Sequence, residues 1–178
     1  LHDALPIFVG SGELFRGDEF KGVFSGGVAG DSDRVISGDD HRFRVAGDLT
    51  DFGDRGEAKE VVDVLRSYNN SLVAVHGNLD HQGVQEYLQE EGISLHGCGR
   101  IIEGVGFFGC GGCNPTPMHT PTEYSEDELW GVLKAGYEAV SEAELKVLIS
   151  HTPPKGYQDR VRMGFHVGSS SVLRFIEE

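Results

Sequence analysis

The short run Leu72 to Val75 lies between an amphipathic helical period and a Gly-Asn step, and this junction leaves few folds open to the chain. Upstream, "GEAKEVVDVLRSY" sets Ala58, Val61, Val62, Leu65 and Tyr68 at helical spacing, and "SLVAVHGN" follows as a short strand of buried composition. With Val45-Ala46 closing an earlier strand, the unit reads β-α-β, whose strands pair in parallel through a helical crossover. A parallel strand covered on both faces stays apolar until it leaves the sheet, so Asn78 marks a sheet edge.

The same grammar continues. A second helix begins near Gly83 with Val84, Tyr87 and Leu88 on one face and Gly92 as its stop, and "RIIEGVGFFGCGG" reads as a strand pair turning at Glu103-Gly104. Ser125 and Glu128 form a capping box for a helix whose stripe is Leu129, Val132, Leu133, Gly136, Tyr137 and Val140. Lys146 to Ser150 is another strand, and Ser169 to Ser171 cap a last helix that turns Val172, Leu173 and Ile176 inward. The expectation is one α/β domain built largely on parallel pairing.

Before Val45 the pattern fails. Leu14 to Arg44 has no sustained period, and a strand there would bury the charges of Arg42 and Arg44. The first seven residues, "LHDALPI", resemble the translation of a sequencing-library adapter. Residues 1–44 are therefore read as an artefactual, out-of-frame or flexible segment, and 45–178 as the domain.

The formal net charge of -14 leaves no basic stripe for a nucleic-acid backbone or an anionic lipid surface. No run approaches the roughly 18 apolar residues of a membrane span, and the start lacks the order of a signal peptide. The expectation is a soluble cytoplasmic protein with neither a membrane partner nor strong non-specific nucleic-acid binding. Among Cys98, Cys110 and Cys113, only the last two make a C-x-x-C pair, and Pro115 and Pro117 follow where a thioredoxin-like helix would begin. They read as reduced thiols in a Gly-rich loop. That loop also lacks both G-x-G-x-x-G and a P-loop lysine, which argues against nucleotide binding there.

Three polar residues end apolar runs: Asp48 in "VAGDLTD", Asn78 in "VHGNLDH" and His151 in "LISHTPP". Carboxyl ends of neighbouring parallel strands share one edge, where α/β proteins build their sites. Gly47 and Gly77 precede the first two and allow close backbone approach. Singly, these residues read as a helix cap, a turn former and a core histidine. Together, a carboxylate, an amide oxygen and an imidazole suit manganese, iron or zinc, and the amide adds no charge that would repel a phosphate.

"GDLTD", "GNLD" and "SHTPP", in this order, resemble the successive blocks of the calcineurin-like metallophosphoesterases. "GCNPTPMHTPTEYSEDEL" and "FHVGSSSVLRFIEE" are similar to small prokaryotic phosphoesterases of the Icc-like group. The resemblance implies a pair of β-sheets sandwiched between helices and two divalent metal ions, with manganese favoured. It also implies Asp48 as the bridging ligand, and Asn78 and His151 on the second metal. The implied activity is hydrolysis of a small-molecule or nucleotide phosphate ester, either a diester or a monoester.

The resemblance also implies a D-x-H block before Asp48 and a G-H-x-H block after the last helix. Asp39-Asp40-His41 lies too close to Asp48 for the intervening helix, and His2-Asp3 belongs to the adapter-like stretch. The segment therefore reads as truncated at both ends and nearly inactive by itself. Leu79 stands where such enzymes commonly place a histidine general acid, with the next acidic residue orienting it. Asp80, readable also as an N-terminal helix cap, and His81, a substitute acid, are the candidate catalytic residues. His119 and His166 read as surface or loop residues. The rival reading is a non-catalytic binding module on the same fold.

Overall fold

The computed structural model describes residues 7–9, 13–15, 43–68, 70–161 and 164–178. In chain order the elements are β1 (Ile7–Val9), β2 (Glu13–Phe15), β3 (Phe43–Ala46), α1 (Arg55–Tyr68), β4 (Leu72–Val75), α2 (Gln82–Glu90), β5 (Gly99–Ile102), β6 (Val105–Cys110), α3 (Glu126–Glu138), β7 (Leu145–Ser150) and α4 (Ser170–Glu177). They make a mixed α/β fold with a five-stranded sheet ordered β2-β1-β7-β6-β5 and a two-stranded sheet of β3 and β4. Pairing is parallel for β1 with β7, β3 with β4 and β6 with β7, and antiparallel at β1-β2 and β5-β6.

Alternation along the strands decides what each sheet covers. In β4, Leu72 and Ala74 pack with Ala58, Val62, Val84 and Leu88 of α1 and α2, while Val73 and Val75 join Phe107, Val147 and Ile149 of the other sheet. All four β4 residues are buried, which is why this strand carries no polar alternation. On the larger sheet, Phe108 and Leu148 point the other way, into a cluster with Leu129, Leu133 and Val172 of α3 and α4. The two sheets thus face each other, and each is backed by two helices.

Local signals land where the residues place them. Glu103 (φ 51°) and Gly104 (φ 82°) form the tight turn between β5 and β6. The Ser125 capping box opens α3, and Ser169 accepts from the Val172 amide to cap α4. Tyr68 departs from its expected inward face and is exposed at the end of α1. Tyr137 is also exposed, although its ring edge meets Phe108 and Phe175.

Two strands, β1 and β2, fall within residues 1–44, where no strand was expected, because three-residue strands are too short to display a period. Strand β3 starts ahead of Val45 and takes in Arg44, correcting the expectation that a charge excludes a strand there. Arg44 is buried between the sheets with its guanidinium 4.3 Å from the centroid of the Phe107 ring, an arrangement that holds a cation on an aromatic face. His2, Asp3, Asp39, Asp40, His41 and Arg42 lie outside the described residues. No helix among the described residues is long and apolar enough to cross a membrane.

Candidate functional site

The carboxyl ends of β3, β4 and β7 meet at one point. Gly47 (φ 99°) and Asp48 (φ 44°) turn the chain sharply after β3. A Cβ on Gly47 would sit 2.2 Å from His151 Nδ1, and one on Gly77 would sit 1.9 Å from Asp48 Oδ1, so both positions exclude a side chain. The close approach inferred from these glycines is what brings Asp48, Asn78 and His151 together.

Leu79 donates its backbone N–H to Asp48 Oδ1 at 3.1 Å. His151 Nε2 lies 2.8 Å from Asn78 Oδ1 and 3.5 Å from Asp48 Oδ1, and its Nδ1 lies 2.9 Å from the Ala46 carbonyl oxygen. A neutral imidazole has one N–H, yet both ring nitrogens of His151 face an acceptor. With the Nδ1 proton on the Ala46 carbonyl, the Nε2 lone pair faces the Asn78 amide and the Asp48 carboxylate, where a cation could accept it. Burial raises the Asp48 carboxyl above its ordinary range, opposed by the charge of His151 and the Leu79 amide.

Asp80 takes a different role from the one read in the sequence. It is fully buried, and its carboxylate accepts from the amides of Leu49, Thr50 and Gly77 and from the Thr50 hydroxyl, at 2.7 to 3.1 Å. The residue clamps the loops after β3 and β4 to each other. The N-cap of α2 is instead His81, whose exposed ring makes no capping bond and whose backbone N–H donates to the Gly53 carbonyl. Thr122 locks this segment from the far side, its hydroxyl on the Asp80 carbonyl and its amide on that of Asn78.

No model of a known family matches the chain. Over 137 residues it is 35% identical to "Uncharacterized protein MJ1162" of Methanocaldococcus jannaschii, an alignment covering 75% of this chain and 61% of that protein. The chain thus spans about three fifths of the length of that relative.

The thiols of Cys110 and Cys113 stay protonated at neutral pH. Cys110, at the end of β6 rather than in a loop, is pushed up to about 12 by burial, and Cys113 to about 11 by burial with the nearby Asp48 charge adding to it. All three cysteines are free, with Cys98 exposed.

Beside Asn78 lies a cluster that the sequence reading passed over. His76 is fully buried, its Nε2 3.0 Å from the Tyr124 hydroxyl, which donates on to Gln85 Oε1 at 2.8 Å. The ring centroids of His76 and His96 are 4.8 Å apart, and His96 Nδ1 accepts from the Gly111 amide. Burial lowers both histidines, His96 to about 4 and His76 well below its ordinary value, so both are neutral at pH 7. The available signal was a histidine directly extending the apolar run, between Val75 and Gly77. On the exposed surface, His119 donates its backbone N–H to the Thr116 carbonyl in its loop, while His166 donates through Nδ1 to the buried Asp159 at 2.6 Å.

Proposed function

We propose that the chain is the core of a metal-dependent phosphoesterase. The observation that carries this reading is the convergence of a carboxylate, an amide and an imidazole, with His151 Nε2 2.8 Å from Asn78 Oδ1 and 3.5 Å from Asp48 Oδ1. The order of "GDLTD", "GNLD" and "SHTPP", which resembles the calcineurin-like metallophosphoesterases, supports it. So does the packing of two facing sheets between helix pairs, the architecture that resemblance implies.

The donor set fits divalent manganese, iron or zinc, with Asp48, Asn78 and His151 as the holding residues. When bound, such ions polarise phosphoryl oxygens and acidify water. The chain's own residues prepare the place. Leu79 N–H orients the Asp48 carboxylate, the Ala46 carbonyl fixes the His151 ring, and Asp80 holds both loops at their working separation. Asn78 contributes an oxygen without a negative charge, which keeps the site open to a phosphate.

Manganese titration by calorimetry tests the ligand set. Asp48→Ala should weaken binding by at least about tenfold, and Gly77→Ala should do the same by displacing the Asp48 carboxylate, on the scale typical of disturbed ligand shells. Unchanged affinity in Asp48→Ala would remove the assignment. Manganese-dependent hydrolysis of an aryl phosphodiester by the protein with its flanking sequence is the matching activity test. A second reading, a binding module without turnover, rests on Leu79, whose aliphatic side chain transfers no proton; metal binding without hydrolysis by that longer protein would select it.

A further inference from the structure

Strand β6 ends beside the candidate site, and the residues that follow it are fastened there by hydrogen bonds to both sheets. His151 donates its backbone N–H to the Cys110 carbonyl at 3.0 Å, and Gly112 donates to the carbonyl of His76, two residues before Asn78, at 3.0 Å. Gly111 packs on that same carbonyl, so that a Cβ there would sit 2.5 Å from its oxygen. Cys113 donates to the Thr122 carbonyl and accepts from the Tyr124 amide, while the Thr122 amide donates to the Asn78 carbonyl. The Cys113 thiol, raised chiefly by burial, is raised further by the charge of Asp48. Asn114 comes next, and Pro115 after it confines its backbone to extended conformations.

The side chain of Asn114 is fixed as well. Thr152, which directly follows His151 and is buried, donates its hydroxyl to Asn114 Oδ1 at 3.1 Å. Thr152 is itself held, its carbonyl accepting from the Ser150 hydroxyl at 2.6 Å. With Oδ1 taken, the two N–H groups of Nδ2 remain. They have no hydrogen-bond partner among the described residues, and Asn114 is only half-buried. The amide thus links the carboxyl ends of β6 and β7 and leaves two uncharged donors open beside His151. Donors fixed in advance are what a phosphoryl group needs: metal ions take some of its oxygens, and the others carry charge that Asp48, with Asp51 and Asp80 acting on it, would repel.

We infer that Asn114 contacts the phosphate, its Nδ2 donating to a phosphoryl oxygen that the metal ions leave free, with Thr152 as the residue that orients it. The inference rests on the phosphoesterase reading and adds to it a binding residue outside the set Asp48, Asn78 and His151.

Calorimetry on this chain tests it, with manganese titrated first and methylphosphonate then titrated into the manganese-loaded protein. Asn114→Ala should bind methylphosphonate at least about tenfold more weakly, the scale of a lost hydrogen bond to a charged group, and manganese within about twofold of the parent. Asn114→Asp keeps an acceptor for Thr152 but puts an anion in place of the donor. It should lose at least as much methylphosphonate affinity while holding manganese no more weakly. Thr152→Val should lose less, because Asn114 remains but is free to turn. Unchanged methylphosphonate affinity in Asn114→Ala overturns the assignment. So does an equal loss of manganese affinity in that variant, which would mean that the amide oxygen, rather than its N–H groups, serves the site. If the parent binds no methylphosphonate in manganese, the phosphoesterase reading itself falls and takes the inference with it.

Discussion

Replacing Asp80 by alanine should destabilise the fold by about 3 to 5 kcal/mol, because buried donors lose their acceptor and each orphaned group costs about 1 to 3 kcal/mol. The donors are the amides of Leu49, Thr50 and Gly77 and the hydroxyl of Thr50, all directed at one fully buried carboxylate. For a chain of this size, the melting temperature should fall by on the order of 10 °C. Asp80→Asn, which keeps one acceptor oxygen, should lie between. A melt of Asp80→Ala within two or three degrees of the parent, about 1 kcal/mol, would show that the loops hold without the clamp.

Acid should weaken the protein through its buried histidines. The folded chain keeps His96 neutral down to about pH 4, whereas the unfolded chain takes up a proton near pH 6.5. The unfolded state therefore binds more protons in between, so the stability present above pH 6.5 is lost as pH falls toward 4 and then levels off. The loss from His96 is about 3 kcal/mol at 1.36 kcal/mol for each pH unit. His76 moves in the same direction, its lowering caused first by burial and then by the charges of His96 and His151. His96→Asn keeps an acceptor for the Gly111 amide but cannot be protonated. Urea unfolding at pH 7 and pH 4 should show the variant losing about 3 kcal/mol less than the parent. Equal losses would mean that the His96 site opens to water before the fold yields.

The sequence made legible what is local. The Ser125 capping box, the strand-ending residues and most of each helix stripe follow from spacing within one turn or one strand, with Tyr68 and Tyr137 the stripe residues that stay exposed. Asp48, Asn78 and His151 were found because parallel strands share an edge, so three separate run ends point to one location. Contacts between residues far apart in the chain were not legible. Asp80 reads as a helix cap because α2 follows it, whereas its partners at Leu49 and Thr50 lie about thirty residues earlier. His76 and Tyr124 are 48 residues apart, and no pattern pairs them in advance. Arg44 looked out of place in a strand because spacing records its charge but not the ring of Phe107 beneath it.

His151 belongs to the larger sheet, whereas Asp48 and Asn78 follow the strands of the smaller one, so their contact is a fastening across two layers. Any cation that occupies this point would join the sheets as well as serve chemistry. Folding and binding would then be linked: at a concentration a hundred times its dissociation constant, the ion would add about 2.7 kcal/mol to stability. Hydrogen exchange offers a direct view of this. Amides on both sides of the join, in β4 and in β7, should slow together on adding manganese, while those of β5 at the outer edge should exchange as before.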